Sequence, residues 1–256
     1  MERLSSNVLI VPDWPAPPLV QAMVTTRQLR GNSLPPYDAF SLGLRTGEDP
    51  AVARANRELL ERAFGLPSPP RWLHQVHGNH VEKFDAVADT NDAEPKADAA
   101  VTHTPGVVLA ILTADCMPIL LCADDSAEVA AVHAGWHGLA AGVIEACVGR
   151  LRTPRSRMIA WLGPAIGSGS YEVGDEVRTR FIAHDQGASA AFTPTRPGHW
   201  LCDLYTLARQ RLAALGVTQV HGGEFDVRAD ERFYSYRRDG RLSGRFASLI
   251  WLDPRR

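Results

Sequence analysis

Apolar residues in the middle of this chain come in short unbroken runs, not in strict alternation with polar ones. Residues 107–112 are continuous, apolar and partly β-branched, which predicts a buried strand running into Thr113, Asp115 and Cys116. The apolar run resumes after Cys116 and ends at Leu121. Residues 129–132 predict a second buried strand that ends on His133, followed by Gly135 and Gly138, which permit a sharp turn or close backbone approach. Further strands are predicted at 20–25, 71–76, 158–162 and 217–220, residues 97–102 lead into the central strand, and residues 232–252 read as a hairpin turning at Asp239-Gly240, with 246–252 as its return strand.

Helices are announced by their caps. Asp49 can cap and Pro50 suits the first helical position, so a helix runs from there to about Phe64, with Val52, Leu59, Leu60 and Ala63 on its apolar side and Gly65 as its stop. Other helices are predicted at 139–152, 175–184 and 204–215, the last capped by Asp203 and ended by Gly216. Prolines 12, 15, 17 and 18 exclude a regular helix near the start. Residues 30–37, 89–96 and 187–200 read as loops by composition.

No repeat or convincing linker divides the sequence. Helices and strands alternate only loosely, so the expectation is one α+β domain over residues 1–256, with mixed β-sheets flanked by helices, and not a doubly wound parallel sheet. A chain of 256 residues with 45% hydrophobic and 22% charged residues can bury a sizeable core. A net charge of −2 supplies no general attraction to nucleic acid or membrane, so neither is expected as a partner. No signal peptide and no membrane-spanning run is evident; the longest apolar stretch contains Thr113, Asp115 and Pro118. The four cysteines, Cys116, Cys122, Cys147 and Cys202, are scattered, and reduced thiols in a cytoplasmic protein are expected.

The candidate chemistry lies where the apolar runs end. A thiol at Cys116 and an imidazole at His133, on neighbouring strands, would converge on one site. The segment Trp72-Leu-His-Gln-Val-His-Gly78 adds His74 and His77 just before a glycine. His77, Cys116 and His133 make a Cys-His-His set suited to Zn2+, with a fourth position left for water or substrate as in catalytic zinc sites. His74 or His137 could supply a fourth ligand, which would make the site structural. Without metal, Cys116 would be a nucleophile and His133 its base, as in a cysteine hydrolase. The same ligands could take copper, but multicopper phenol oxidation needs more paired histidines than this chain offers near the site. The glycine-rich stretch from Gly163 to Ser170 is a weak anion-cradle signal without a helix-opening context.

Taken together in order, His74-Gln-Val-His-Gly78, Thr113-Ala-Asp-Cys116, Val132-His-Ala-Gly-Trp-His-Gly138, Gly163-Pro-Ala-Ile-Gly167, Tyr171-Glu-Val-Gly174 and Tyr234-Ser-Tyr-Arg-Arg-Asp-Gly240 resemble the YfiH/laccase-domain family. Its members have been labelled polyphenol oxidases and are understood as purine nucleoside phosphorylases. The resemblance implies a single-domain fold and zinc held by His77, Cys116 and His133. It further implies phosphorolysis of adenosine, inosine, guanosine and methylthioadenosine with inorganic phosphate, plus adenosine deamination. Arg45, Arg57 and the Arg237/Arg238 pair are then candidate phosphate ligands, Arg45 foremost. Asp115 and His74 are candidate proton shuttles, with Asp115 alternatively orienting a ligand imidazole. The chain departs from the family where Ser41 and Arg45 stand in place of the common Asn and His, and around Phe225-Asp226.

Overall fold

The structure is a computed structural model that describes residues 8–87 and 94–255. In chain order its elements are β1 (Leu9–Ile10), β2 (Val20–Thr25), α1 (Pro50–Phe64), β3 (Val81–Lys83), β4 (Ala99–Thr102), β5 (Leu109–Thr113), β6 (Met117–Ala123), β7 (Val129–Ala134), α2 (Trp136–Ala140), α3 (Val143–Arg150), β8 (Met158–Leu162), β9 (Glu172–Gly174), α4 (Asp175–Ile182), β10 (Phe192–Arg196), β11 (His199–Cys202), α5 (Leu204–Ala214), β12 (Gln219–Gly222), α6 (Tyr236–Asp239) and β13 (Phe246–Leu252). The strands form a six-stranded sheet in the order β12-β8-β6-β7-β4-β3, a four-stranded sheet β1-β2-β13-β5 and a three-stranded sheet β10-β11-β9. In the largest sheet β12 runs parallel to β8 and β3 parallel to β4, while the inner pairings are antiparallel. The fold is α+β with mixed sheets. No helix among the described residues is long and apolar enough to cross a membrane.

Burial on both faces explains the unbroken apolar runs. Along β5, Leu109 and Ile111 point into the main core, while Ala110 joins a second cluster with Leu60 of α1 and Phe40. Strand β13 divides in the same way, with Phe246 and Ile250 on one side and Ala247 and Leu249 on the other. Successive side chains on a strand leave opposite faces, so a strand covered on both sides has no position for water-seeking residues.

The stretch from 107 to 121 is two strands in two different sheets. β5 pairs with β13, whereas β6 lies between β8 and β7. Ala114, Asp115 and Cys116 make the crossing, with Asp115 at a φ of 97°. That backbone conformation is unfavourable for a residue with a side chain, and here the surrounding contacts impose it.

Several expectations are corrected. Residues 71–76 form isolated bridges at Arg71 and His74 instead of a strand. The Gln75 side chain takes the neighbouring strand's place by donating to the Leu112 carbonyl at 2.7 Å and accepting its N–H at 2.8 Å. The helix expected over 139–152 is two helices, because Gly142 adopts a φ of 85° between them. The loop expected over 187–200 contains the antiparallel pair β10 and β11, turned at Gly198 with a φ of 73°. The carboxyl-terminal hairpin is absent: Ser235 caps the short α6, and β13 pairs with β2 and β5. Helix α1 has the expected bounds, with the Asp49 side chain accepting from the N–H of Ala51 at 2.9 Å. Its inward face, however, carries Asn56 and Arg57 beside Ala53 and Leu60, and Ala63 is exposed. Most of the loop expected over 89–96 lies outside the described residues.

Candidate metal centre and cavity

Three elements deliver the donors. Cys116 sits at the sheet-to-sheet crossing just before β6, and His133 lies on β7, paired with Pro118 of β6. His77 comes from the loop before β3. The candidate ligand atoms of these residues all lie within 4.8 Å of one another, with Sγ of Cys116 3.7 Å from Nε2 of His77. A tetrahedral metal bound at the usual Zn–S and Zn–N lengths needs donors about 3.5 Å apart, so the set fits a metal with small side-chain adjustments. His133 is buried, Cys116 half-buried and His77 exposed, which leaves the cluster open on one side.

Asp98, which the sequence reading did not single out, organises this cluster. It is fully buried just before β4. Its carboxylate accepts from Nδ1 of His133 at 2.8 Å, which leaves Nε2 to face Cys116 and the candidate metal position. It also accepts three successive backbone N–H groups, from Val76 at 3.2 Å, His77 at 2.9 Å and Gly78 at 2.7 Å. Those N–H groups converge because His77 adopts a φ of 60°. Burial alone would raise the Asp98 pKa, but His133 and the Gly78 and Val76 amides outweigh it and hold the carboxyl below its usual range. The sequence signal was an acid directly ahead of the apolar stretch 99–101, where an unpaired carboxylate would be costly.

Burial pushes the Cys116 thiol up, but His133 and His77 beside it prevail and bring it to about 6. Burial lowers His133, yet Cys116 and Asp98 raise it to about 9. Both shifts express one preference, a thiolate beside an imidazolium, and a metal cation satisfies the same thiolate. Cys122, Cys147 and Cys202 are buried, and burial pushes each of these thiols to about 12, consistent with packing residues. Gly135 leaves room for the cluster: a Cβ there would lie 2.7 Å from Sγ of Cys116 and 3.1 Å from the His77 ring, so these side chains would have to shift.

The cluster opens into a cavity of 510 Å³ whose apolar wall includes Leu44, Leu73, Trp136, Tyr171 and Tyr236. His74 lines it but does not belong to the ligand cluster. His137 stacks on Trp136 with ring centres 3.6 Å apart and is exposed, also outside the cluster. Asp115 borders the cavity with both carboxylate oxygens engaged, one by the Ser235 hydroxyl at 2.6 Å and one by the N–H of Arg237 at 2.7 Å. Burial still raises its pKa. Asp115 thus anchors the carboxyl-terminal segment to the crossing.

The candidate arginines differ in what they touch. Arg45 lies half-exposed on the rim and ion-pairs with Glu94. Arg57 is buried away from the cavity lining, pairs with Glu94 at 2.7 Å and stacks over Trp72 at 4.1 Å. Arg237 lines the cavity with its guanidinium over the Tyr171 ring at 4.8 Å, whereas Arg238 pairs with Asp239 at 2.8 Å. Arg245, missed in the sequence, also lines the cavity. Much of the glycine-rich stretch 163–170 has its N–H groups already taken within the fold. The N–H of Gly163, Ile166 and Gly167 go to Pro118, Asp115 and Asp226, and that of Ala165 goes to the Tyr205 hydroxyl. Phe225 packs edge-on against Trp161 and Phe233, so the departure at that position lies outside the cavity lining.

Known proteins resemble this chain along nearly its whole length. A family model described as multi-copper polyphenol oxidoreductase laccase matches residues 21–253. The purine nucleoside phosphorylase of Xylella fastidiosa is 49% identical over 260 residues, covering 98% of this chain and 99% of that protein. The purine nucleoside phosphorylase YfiH of Escherichia coli is 49% identical over 245 residues, covering 95% and 98%. Among solved structures, a Neisseria meningitidis protein superposes with a TM-score of 0.89 at 41% identity, covering 96% of this chain and 99% of that one. The Bacillus licheniformis hypothetical protein YfiH does so with a TM-score of 0.84 at 26% identity, covering 91% and 93%. With sequence and fold in agreement, the chain belongs to the laccase-domain YfiH family.

Proposed function

We propose that this chain acts as one catalytic unit, a zinc-dependent purine nucleoside phosphorylase that accepts adenosine, inosine, guanosine and methylthioadenosine. The observation that carries this reading is the cavity itself. It joins the His77, Cys116 and His133 donors to aromatic faces suited to a purine ring and to arginines suited to an oxyanion. The names of the relatives at 49% identity point the same way.

In the proposed reaction a phosphate oxygen attacks C1′ of the ribose as the bond from C1′ to N9 breaks. The purine leaves with the electron pair of that bond and takes up a proton. His74, on the cavity wall, is the residue we assign to that proton. Trp136, Tyr171 and Tyr236 hold the base and exclude water from the reacting carbon. Asp115 fixes Ser235 and Arg237, and through them the wall that carries Tyr236. Arg45 on the rim supplies positive charge at the entrance. A bound zinc would supply a Lewis acid beside these groups. We also assign adenosine deamination to this cavity, water replacing the amino group, which departs as ammonia.

The test is incubation of purified protein with adenosine, with and without phosphate, followed by chromatography. Adenine and ribose-1-phosphate appearing only with phosphate support phosphorolysis, and inosine supports deamination. Adenine release that ignores phosphate sinks the phosphorylase reading.

A metal-free cysteine mechanism is favoured by one observation, the thiol of Cys116 lowered to about 6 next to a histidine that Asp98 orients. Activity that survives chelation but not thiol alkylation would select it. Copper oxidation is the weaker reading, because the described residues offer a single candidate metal position.

A further inference from the structure

Three arginines line the cavity, and two of them have partners for their charge: Arg45 pairs with Glu94, and Arg237 lies over Tyr171. Arg245 forms no ion pair and stacks on no ring among the described residues, although Cys116 and Asp115 lie near enough to act on its charge. Its Nη1 donates to the carbonyls of Ser243 and Gly244, each at 2.8 Å. Its Nε and Nη2 have no protein acceptor among the described residues, yet they are not among the sealed-off unpartnered atoms. That edge of the guanidinium is therefore open to the cavity.

The side chain is held in place. Arg245 immediately precedes β13, whose first residue, Phe246, pairs with Thr113 at the end of β5. This register sets Arg245 beside the crossing that carries Asp115 and Cys116. Its N–H donates to Oγ of Ser41 at 3.3 Å, and its carbonyl accepts from the N–H of Leu42 at 3.0 Å. Gly43 makes room for the stem: a Cβ there would stand 2.8 Å from Cγ of Arg245. The nearby carboxylate, Asp115, is already engaged by Ser235 and Arg237 and leaves the guanidinium without an ion pair.

A largely buried cation with two free, parallel N–H groups on a rigid stem is an oxyanion receptor. We propose that Arg245 binds inorganic phosphate in the cavity through Nε and Nη2, while Arg45 remains an entrance residue. The proposal rests on the phosphorylase reading above. It explains why Ser41, at a position where the chain departs from its family, still serves the site: its hydroxyl positions the Arg245 backbone.

The experiment is calorimetric titration of the metal-loaded protein with inorganic phosphate in the absence of nucleoside, alongside adenosine kinetics and metal content. Arg245→Gln should weaken phosphate binding about 30-fold or more, the loss expected for a charge-assisted forked contact. The KM for phosphate should rise, with the KM for adenosine and the metal content unchanged. Arg245→Lys should recover part of the binding. Gly43→Ala, which displaces the stem without changing its chemistry, should weaken phosphate in the same direction. Phosphate affinity within twofold of the parent in Arg245→Gln would overturn the assignment. So would loss of metal with phosphate affinity intact, because Arg245 would then only balance the Cys116 thiolate. Phosphate-independent adenine release by the parent protein would instead overturn the phosphorylase reading, and the two failures are read in separate assays.

Discussion

Asp98 and His133 share a hydrogen bond of 2.8 Å, and their side chains are 0% and 3% exposed. The same carboxylate gathers the N–H groups of the loop that presents His77. One buried acid therefore positions two of the three candidate metal donors, although His77 and His133 are far apart in sequence. Partners of this kind fix the ring orientation and tautomer of a ligand histidine.

Asp98→Asn should keep the fold and weaken metal binding. An amide can accept at only one of its two heavy atoms, so the N–H cradle and the His133 contact are no longer all satisfied. The expected loss in metal affinity is about 10–100-fold. Competition with a chromophoric chelator measures it, and unchanged affinity would remove Asp98 from the metal site.

Gly135→Ala tests the space around Cys116. The added Cβ would approach Sγ to 2.7 Å, closer than real contacts allow. Metal content should fall well below one per chain, while the circular dichroism of the folded protein is retained. Full occupancy would show that the thiol can move aside without penalty.

Thr113→Val should not destabilise the protein. Oγ1 of Thr113 is buried at the end of β5 without a hydrogen-bond partner among the described residues. Such a group costs roughly 1–3 kcal/mol, and a methyl of similar shape removes that cost. Urea unfolding should show equal or greater stability. A loss above about 1 kcal/mol would mean that the hydroxyl has a partner, such as ordered water.

Glu94 gives a pH-dependent prediction. Burial would raise its pKa, but Arg45 and Arg57 outweigh that and hold it below the usual carboxylate range. The folded value is depressed, so its contribution is present above the unfolded pKa near ~4.3 and is lost as pH falls through the folded value. Glu94→Gln should cost roughly 3 kcal/mol at pH 7, because it leaves the buried Arg57 unpaired. The difference between parent and variant should shrink as pH drops below about 4. A difference that stays constant down to pH 3 would show that the pairs with Arg45 and Arg57 do not depend on the charge of Glu94.

Much of the local structure was legible because short-range physics decides it. Asp49, Pro50 and Gly65 bound α1 through capping and backbone preference, and they do so without reference to the remainder of the chain. The strands 20–25 and 158–162 have the bounds that their apolar runs predict. The candidate donors Cys116 and His133 stand out because a thiol and an imidazole interrupt or end runs that otherwise bury only hydrocarbon, and His77 stands out by its spacing from His74 just ahead of a glycine. What stayed hidden depends on partners distant in sequence. Residues 232–252 look like a hairpin by turn chemistry, but β13 gains more by lying between β2 and β5 with both faces buried. Asp98 reads as one acid among many until the fold brings His133 and the His77 loop to its carboxylate. Arg245 reads as a surface charge beside a glycine. Only the register of β13 against β5, and the missing side chain at Gly43, turn its open edge into the cavity. Polar residues acquire their roles from what surrounds them after burial, and that is settled by long-range packing, to which spacing along the chain is blind.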